Sequence, residues 1–351
     1  MTNSIEKTIE RTLRTALLVD GFWDRWIVHG IEREDLLAIR SSLTTLDRWL
    51  ELWSGLAEEK ARQAKVEMEN GNRMKAEVLF RKSSLYFNLT QWIFPHPQEE
   101  KSKWYQHCLH YTYQADQLST IETRYVHLEI EGHLLYGRVR IPRDPIGCMV
   151  IFNPIDSTKE ELYSYEMDFT QNRMITISFD SPGQGQTFIQ QKFKGTQNRL
   201  KNFADRLIEF PREFTSLPLY LFGTSSGAAW ALYGSSRPGV ERAVAVSPTD
   251  NRDKLFLPAY FDARLDACID DYELMPHYDF PLRKPGLIYH GGKDAMVPPS
   301  FIENIEKQLP EESKLILFEE EGHCCNFKLE QIRRESIQWL MEKNYDEIHS
   351  S

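Results

Sequence analysis

Six short apolar runs between residues 148 and 320 restrict the fold of this chain more than any other feature. They read CMVIFN, MITISFD, LPLYLFG, RAVAVSP, GLIYHGG and KLILFEE, and polar stretches of helix length separate most of them. Uninterrupted apolar runs of strand length are typical of strands buried on both faces of a parallel sheet, with crossover helices between them. The runs therefore predict an α/β fold built on a mostly parallel, doubly wound sheet. Just before them, TRYVHLEIEGHLLYGRVRIP alternates apolar and polar side chains around Glu131-Gly132, which predicts a β-hairpin.

The chain before about residue 117 has a helical period instead. Apolar side chains recur every three or four residues from Leu46 to Ala57, and Asn70-Gly71 provides a stop signal for a helix ending at Glu69. Two further stripes follow, one ending before Pro95 and one over residues 104–115. We expect residues 1–120 to form a helical domain that docks on an α/β domain over residues 121–351.

Composition excludes several classes of protein. A net charge of −10 argues against a nucleic-acid groove, and no apolar run approaches the roughly 20 residues of a membrane helix. The first 21 residues mix Glu and Arg and lack the apolar core of a secretory signal. The five cysteines are odd in number and mostly scattered, which makes a disulfide framework improbable. We therefore expect a cytoplasmic protein that binds neither nucleic acid nor membrane.

The pentapeptide G-T-S-S-G, residues 223–227, follows the run LPLYLFG and precedes a helix-compatible AAWALYGSS. A strand, G-x-S-x-G and a helix in this order are the context of a nucleophile elbow, in which small neighbours make room for a strained serine. Ser225 occupies the central position. Ser226 would contribute its backbone N–H to an oxyanion hole.

Two later loops supply the partners that a serine nucleophile needs. Asp294 follows the run GLIYHGG, and His323 follows KLILFEE. The chain order Ser225, Asp294, His323, each just past a buried strand, is the order of a Ser-Asp-His catalytic triad. His323 would take the proton of Ser225, and Asp294 would fix the imidazole tautomer. Asp250, after RAVAVSP, is the alternative acid.

The second oxyanion donor is expected in the loop after CMVIFN. Pro154 has no N–H, so the first amide that can donate there is that of Ile155. The loop Asp180–Gln186 contains G-x-G but lacks the third glycine of a dinucleotide fingerprint, so no cofactor is expected. Cys324 and Cys325 adjoin His323, but no second Cys/His cluster accompanies them. We expect no metal site, and we expect both cysteines to be buried and inert.

The blocks NPIDSTKEE, SFDSPGQGQT, FGTSSGAAWA, GGKDAMVPP and EGHCCN resemble those of one α/β-hydrolase group. That group includes 2,6-dihydroxypseudooxynicotine hydrolase, the fungal yellowish-green pigment hydrolases and the fermentation/respiration switch protein-like esterases. The resemblance covers most of residues 120–340 and extends more loosely to the helical region, which in the group caps the catalytic domain. It implies the same roles for Ser225, Asp294 and His323. Two departures stand out: Asn153-Pro154 replaces glycines, and no counterpart is found for the acidic residue implied in carbon–carbon bond cleavage.

The motifs favour a serine hydrolase that forms an acyl-enzyme with a small-molecule ester, thioester or activated keto substrate. Alternatives are an acyltransferase or cyclase that uses the same intermediate, a C–C bond hydrolase, and a non-catalytic binding protein on the hydrolase fold. Aromatic side chains in the helical region, such as Trp49, Trp53 and Trp92, are mostly core. A few of them could line a pocket for an aromatic or polyketide-like substrate. The segment 249–283 is a candidate second lid, and a homodimer is compatible with the sequence.

Overall fold

The structure of the chain is a computed structural model that describes residues 2–276 and 284–349. Within these residues only helices precede residue 120, and strands and helices follow it. The strands are β1 (Glu122–Ile130), β2 (His133–Ile141), β3 (Gly147–Phe152), β4 (Met174–Phe179), β5 (Leu219–Thr224), β6 (Val240–Val246), β7 (Gly286–Gly291) and β8 (Lys314–Phe318). The helices are α1 (Thr2–Leu18), α2 (Asp24–His29), α3 (Arg33–Ile39), α4 (Leu46–Glu69), α5 (Arg73–Trp92), α6 (Glu99–Leu118), α7 (Tyr163–Gln171), α8 (Gly185–Gln191), α9 (Gln197–Glu209), α10 (Ser226–Ser235), α11 (Ala259–Cys268), α12 (Pro299–Glu306) and α13 (Leu329–His349).

The strands form one sheet in the order β1-β2-β4-β3-β5-β6-β7-β8. β1 and β2 make the predicted hairpin, and Glu131 and Gly132 at its turn both have positive φ. β2 pairs antiparallel with β4, and the later pairs are parallel. The predicted, mostly parallel sheet is confirmed. Because the strands from β3 onwards are parallel, the loops after β3, β5, β7 and β8 open at the same edge.

The strands are apolar at consecutive positions because both faces of the sheet are buried. Alternate residues of β3 face opposite sides of the sheet: Val150 packs among side chains of α9 and α10, and Ile151 among those of α7 and α13. Both faces are therefore covered by helices, so that neither set of alternate positions tolerates polar side chains. The sheet is doubly wound, as predicted.

The N-terminal helices form a cap with a tryptophan core. α4 begins after Thr45, whose hydroxyl accepts a hydrogen bond of 3.2 Å from the Arg48 N–H, and it ends at Glu69 as predicted. Trp49 and Trp53 are fully buried along its apolar stripe, and Trp23 stacks on Trp49 with ring centroids 5.8 Å apart. α5 packs on both α4 and α6. The division of the chain into two domains at residue 120 stays a prediction.

The candidate lid segment is only partly covered by the structure. Its described residues, 249–276, include α11, which packs against α1 of the cap. Residues 277–283 of the same segment lie outside the described residues. None of the helices in residues 2–276 and 284–349 combines the length and the apolar character that a bilayer-spanning segment requires.

A buried carboxylate joins the cap helices to the sheet. Asp116, near the end of α6, forms an ion pair with Arg81 of α5 and accepts a hydrogen bond of 2.6 Å from the Tyr125 hydroxyl of β1. Arg138 of β2 lies 3.7 Å from the same carboxylate. Burial by itself would raise the pKa of Asp116, but the charges of Arg138 and Arg81 outweigh it and lower that pKa. The carboxylate is therefore ionised inside the protein.

We expect Asp116→Ala to lower the free energy of unfolding by about 3 kcal/mol, because two arginines would keep their burial but lose a counter-charge. The matched control is Glu122→Ala, which removes an exposed ion pair with Arg124. Its cost should stay below about 1 kcal/mol. Urea denaturation followed by tryptophan fluorescence measures both variants. Equal losses of unfolding free energy in the two variants would show that Asp116 does not hold the cap helices to the sheet.

Candidate active site

A strained turn holds Ser225 at the edge of the sheet. Ser225 lies between β5 and α10 with φ 54° and ψ −124°, a conformation that costs a non-glycine residue on the order of 1–3 kcal/mol. Its N–H donates to the Val246 carbonyl at 2.8 Å, which anchors the turn to β6. A Cβ at Gly223 would collide with the Gly227 carbonyl, and one at Gly227 with the Phe152 carbonyl. The glycines of G-T-S-S-G are thus required by close backbone approach, as the motif predicted.

The structure brings Ser225, His323 and Asp294 into one chain of contacts. Ser225 Oγ lies 2.8 Å from His323 Nε2, and His323 Nδ1 lies 2.7 Å from Asp294 Oδ2. The other Asp294 oxygen accepts hydrogen bonds from the N–H groups of Met296 and Val297, at 2.8 and 3.1 Å. The carboxylate is thereby held with one oxygen toward the imidazole.

The electrostatic interactions among these three side chains favour a charged imidazole beside a charged carboxylate. Burial by itself would raise the pKa of Asp294, but its hydrogen bond to His323 outweighs this effect and lowers that pKa. Burial opposes protonation of His323, yet the Cys324 sulfur and the Asp294 carboxylate raise the His323 pKa well above its ordinary value. The alternative acid, Asp250, instead lies 3.1 Å from Lys254 Nζ. It makes no described contact with His323.

The expected oxyanion donors meet each other across the site. Ser226 is the first residue of α10, where a backbone N–H has no partner within the helix. The Ile155 N–H is 2.7 Å from the Ser226 hydroxyl oxygen and donates to it. Gln184 fixes the Ile155 loop, because its side-chain amide donates to the carbonyls of Asn153 and Pro154 at 3.2 and 2.7 Å. The Ser226 side chain therefore has a partner that the motif did not reveal.

The block D-S-T-K-E-E, residues 156–161, is a set of buried charges with partners on both sides of the cap boundary. Lys159 Nζ lies 2.9 Å from Asp180 Oδ2 at the end of β4. Glu160 accepts a hydrogen bond of 2.7 Å from the Tyr105 hydroxyl of α6. The neighbouring Glu161 binds Arg25 of α2 through both carboxylate oxygens, at 2.5 and 2.7 Å.

Asp156, the first residue of that block, also binds across the boundary. It lies 3.0 and 3.2 Å from two nitrogens of Arg264 in α11, and it accepts a hydrogen bond of 2.9 Å from the Trp92 indole of α5. The residues that follow the Ile155 loop thus connect the cap, α11 and the sheet. The block fixes the loop and the cap relative to each other.

A cavity of 560 Å³ opens onto Ser225 and His323 between the cap and the sheet. Of the cap aromatics proposed from the sequence, Trp92 lines the cavity, whereas Trp49 and Trp53 are core residues. Cys324 also lines the cavity and is only half-buried, so the expectation that it is buried was wrong. Further aromatic side chains of the lining are Phe22, Trp26, Tyr165, Tyr260, Phe261 and Phe327.

No protein-family model matches the chain. It is 24% identical over 338 residues to 2,6-dihydropseudooxynicotine hydrolase of Paenarthrobacter nicotinovorans, and the match covers 91% of either chain. The crystal structure of the 2,6-dihydroxy-pseudo-oxynicotine hydrolase superposes with a TM-score of 0.77 at 22% identity, covering 91% of this chain and 94% of that one. The esterase Pf2001 of Pyrococcus furiosus superposes with a TM-score of 0.52 at 14% identity, over 64% of this chain and 91% of the esterase. The chain has the α/β-hydrolase fold.

This finding confirms the resemblance drawn from the sequence blocks, and with it the hydrolase class of the enzyme. The match to 2,6-dihydroxy-pseudo-oxynicotine hydrolase extends over nine-tenths of this chain. A match of this length must include the N-terminal helices. This agrees with their description as a cap.

Sequence reasoning missed several polar residues that surround Ser225. Arg25, His29 and Tyr165 line the cavity, and Gln184 holds the oxyanion loop. Arg25 and His29 lie in a short helix of six residues, whose pattern gives no sign of a site. The block D-x-P-G-Q-G did mark Gln184, but only as part of a turn. Contacts over more than 130 positions along the chain, such as that of Arg25 with Glu161, have no local signal.

We expect Ser226→Ala to change the acylation rate of Ser225 by less than about tenfold, since the variant keeps the backbone N–H and frees the Ile155 N–H. Removing a true oxyanion donor costs on the order of 10²–10³ in rate. The rate of labelling by a fluorophosphonate, compared with that of the wild type, measures the effect. A loss of 100-fold or more would assign the oxyanion contact to the Ser226 hydroxyl.

The pH dependence of acylation should report His323, which accepts a proton only in its neutral form. Since the His323 pKa is raised, activity should rise with pH through a limb above the ordinary histidine value. Asp294→Asn removes a charge that raises this pKa, so its limb should move to lower pH. The plateau should also fall, by on the order of 10⁴ in the best-studied triads.

The matched control for that variant is Asp250→Asn, which leaves the His323 contacts in place and should preserve both limb and plateau. The measurement is kcat/KM against pH for an activated aryl ester. If Asp250→Asn lowered the plateau more than Asp294→Asn, the acid would have to be reassigned.

Proposed function

We propose that the protein is a serine hydrolase that cleaves a small-molecule ester, thioester or activated keto compound through an acyl-enzyme on Ser225. One observation carries the proposal. Ser225, His323 and Asp294 make contacts of 2.8 and 2.7 Å in the order that proton transfer requires. Similarity to hydrolases along 91% of the chain supports the same reaction class.

In the proposed mechanism, Ser225 Oγ attacks the substrate carbonyl while His323 Nε2 takes its proton. Negative charge develops on the carbonyl oxygen, toward the backbone N–H of Ser226. The Ile155 N–H joins it when it exchanges its hydrogen bond to the Ser226 hydroxyl for one to the substrate oxygen. His323 then gives its proton to the leaving group, and an ester joins the acyl group to Ser225. A water molecule, deprotonated by the same imidazole, cleaves this ester and releases the acid. Asp294 stabilises the imidazolium in both halves of the reaction.

The cavity supports a substrate of limited size with an aromatic or polyketide-like character. Its 560 Å³ lies within the range of small-molecule sites, and aromatic side chains from cap and sheet line it. The name of the Paenarthrobacter relative specifies 2,6-dihydropseudooxynicotine as the compound that enzyme acts on. At 24% identity this supports hydrolysis of a small molecule rather than that particular substrate.

A second candidate is hydrolysis of a carbon–carbon bond next to a carbonyl, by the same acyl-enzyme but with a carbon leaving group. Similarity to the 2,6-dihydroxypseudooxynicotine hydrolase group favours it. Product analysis distinguishes the two, because C–C cleavage releases a product in which the leaving carbon has gained a proton, whereas ester cleavage releases an alcohol. A cytoplasmic location and a homodimer stay predictions.

We expect a fluorophosphonate to label the wild-type protein on Ser225 and to leave Ser225→Ala unlabelled. The reason is that labelling requires a hydroxyl activated by the adjacent imidazole. Ser236→Ala, just past the C-terminal end of α10, is the matched control and should label at the wild-type rate. Mass spectrometry of the adduct identifies the residue. Folded wild-type protein without an adduct would contradict the proposal, and an adduct that persists in Ser225→Ala would assign the nucleophile elsewhere.

A further inference from the structure

The cavity contains a second imidazole that ester hydrolysis does not need. His29, the last residue of α2, lines the same cavity as Ser225, although its side chain is only 4% exposed. α2 packs against residues 323–328, the segment that begins with His323. The cap therefore brings a second imidazole close to the reacting groups.

The contacts of His29 have the same order as those of His323. Its Nδ1 lies 2.9 Å from Glu161 Oε1, and its Nε2 lies 3.4 Å from the Tyr165 hydroxyl. A carboxylate on Nδ1 favours the tautomer with its proton there and leaves the Nε2 lone pair free to accept. Glu161, His29 and Tyr165 thus form a carboxylate–imidazole–hydroxyl array, like Asp294, His323 and Ser225.

The surroundings of Glu161 and Tyr165 fix the charge of each of these two side chains. Burial by itself would raise the pKa of Glu161, but Arg25 outweighs it and lowers that pKa to about 2. Burial raises the pKa of Tyr165, so its hydroxyl keeps its proton. Arg25 is occupied by Glu161 and by the Asp156 carbonyl. The array therefore offers the Tyr165 O–H to the cavity as a donor, and the Arg25 cation beside it is already paired.

From this arrangement we infer that His29 and Tyr165 form a specificity subsite for a hydroxyl group of the substrate, with Glu161 positioning the imidazole. A hydroxyl both donates and accepts, so it can donate to His29 Nε2 while it accepts from the Tyr165 O–H. The present His29–Tyr165 contact of 3.4 Å exceeds the usual 2.7–3.2 Å of a good hydrogen bond, so a bridging hydroxyl can replace it at little cost. The inference rests on the proposed function and narrows its substrate class to hydroxylated acyl compounds with an aromatic or similar ring.

The aromatic lining and the subsite make complementary demands on such a ligand. Trp26 and Trp92, whose rings lie 5.5 Å apart, give the cap side of the cavity an apolar wall. An apolar wall accepts an aromatic ring in more than one orientation. A hydrogen bond to a hydroxyl group on that ring fixes its orientation. A carboxylate in place of the hydroxyl has no proton to donate to His29 Nε2, and Arg25 of the lining is already paired with Glu161, so the subsite selects against acids.

The test uses phenylboronic and naphthylboronic acids, each paired with its ring-hydroxylated isomers, as reversible ligands that add to Ser225 Oγ. Inhibition constants come from competition with fluorophosphonate labelling of the full chain. We expect at least one hydroxylated member to bind about threefold to tenfold more tightly than its parent, the value of one net hydrogen bond. That gain should disappear in His29→Leu and in Tyr165→Phe, which removes a single oxygen atom. His29→Gln, whose amide reaches the position of Nε2, should retain part of it.

His110→Leu, an exposed histidine on α6, is the matched control and should leave the gain unchanged. The fluorophosphonate label reports separately on Ser225: if it does not enter folded wild-type protein, the proposed function fails. If the label enters but no hydroxylated isomer binds at least twofold more tightly than its parent, the subsite is wrong while the hydrolase stands. A gain that survives both His29→Leu and Tyr165→Phe overturns the inference as well. A role of His29 in cap docking alone would weaken parents and hydroxylated isomers equally, which also overturns it.

Discussion

The buried charges of residues 156–161 are the constraint on which the rest of the structure depends. A charge that leaves water costs several kcal/mol unless a partner meets it, so each of these side chains requires a specific neighbour. The neighbours come from different parts of the chain: Asp180 at the end of β4, Arg25 in α2, and Arg264 in α11. The ion pairs and hydrogen bonds that these charges require therefore hold the cap against the sheet. They also fix the loop that begins at Asn153 and includes the Ile155 amide.

The candidate active site lies where residues 156–161 meet the edge of the sheet at which the parallel strands have their C-terminal ends. Several residues at that edge have a strained backbone, since Ser225, Ser247, Cys324 and Asp156 all have positive φ. Residues held in such conformations persist only when surrounding contacts over-determine them, and they cluster at functional sites. The packed sheet on one side and the docked cap on the other provide those contacts. The same two surfaces enclose the cavity, so substrate selection and cap docking use adjacent residues.

Much of the fold could be predicted from local patterns. Each predicted strand is present, the helix of residues 46–69 ends at its Asn-Gly stop, and the Glu131-Gly132 turn closes its hairpin. Local patterns succeeded because burial on both faces of a sheet, or along one face of a helix, imposes a period that the sequence must carry. The expectation for Cys324 failed because adjacent residues at a strained turn can face different surroundings. Cys325 is buried, while Cys324 faces the cavity.

The sequence by itself determined the parallel sheet, the strained serine turn and the order in which Ser225, Asp294 and His323 follow their strands. These properties depend on neighbours within a few residues and on the shared edge of parallel strands. Only the tertiary structure decided that Asp294 rather than Asp250 faces His323 and that Ser226 binds the Ile155 amide. It alone brought His29 of the cap into the cavity beside Tyr165. The physical reason is that these contacts join side chains 29 to 136 positions apart, whose approach depends on how the packed elements sit rather than on any local period.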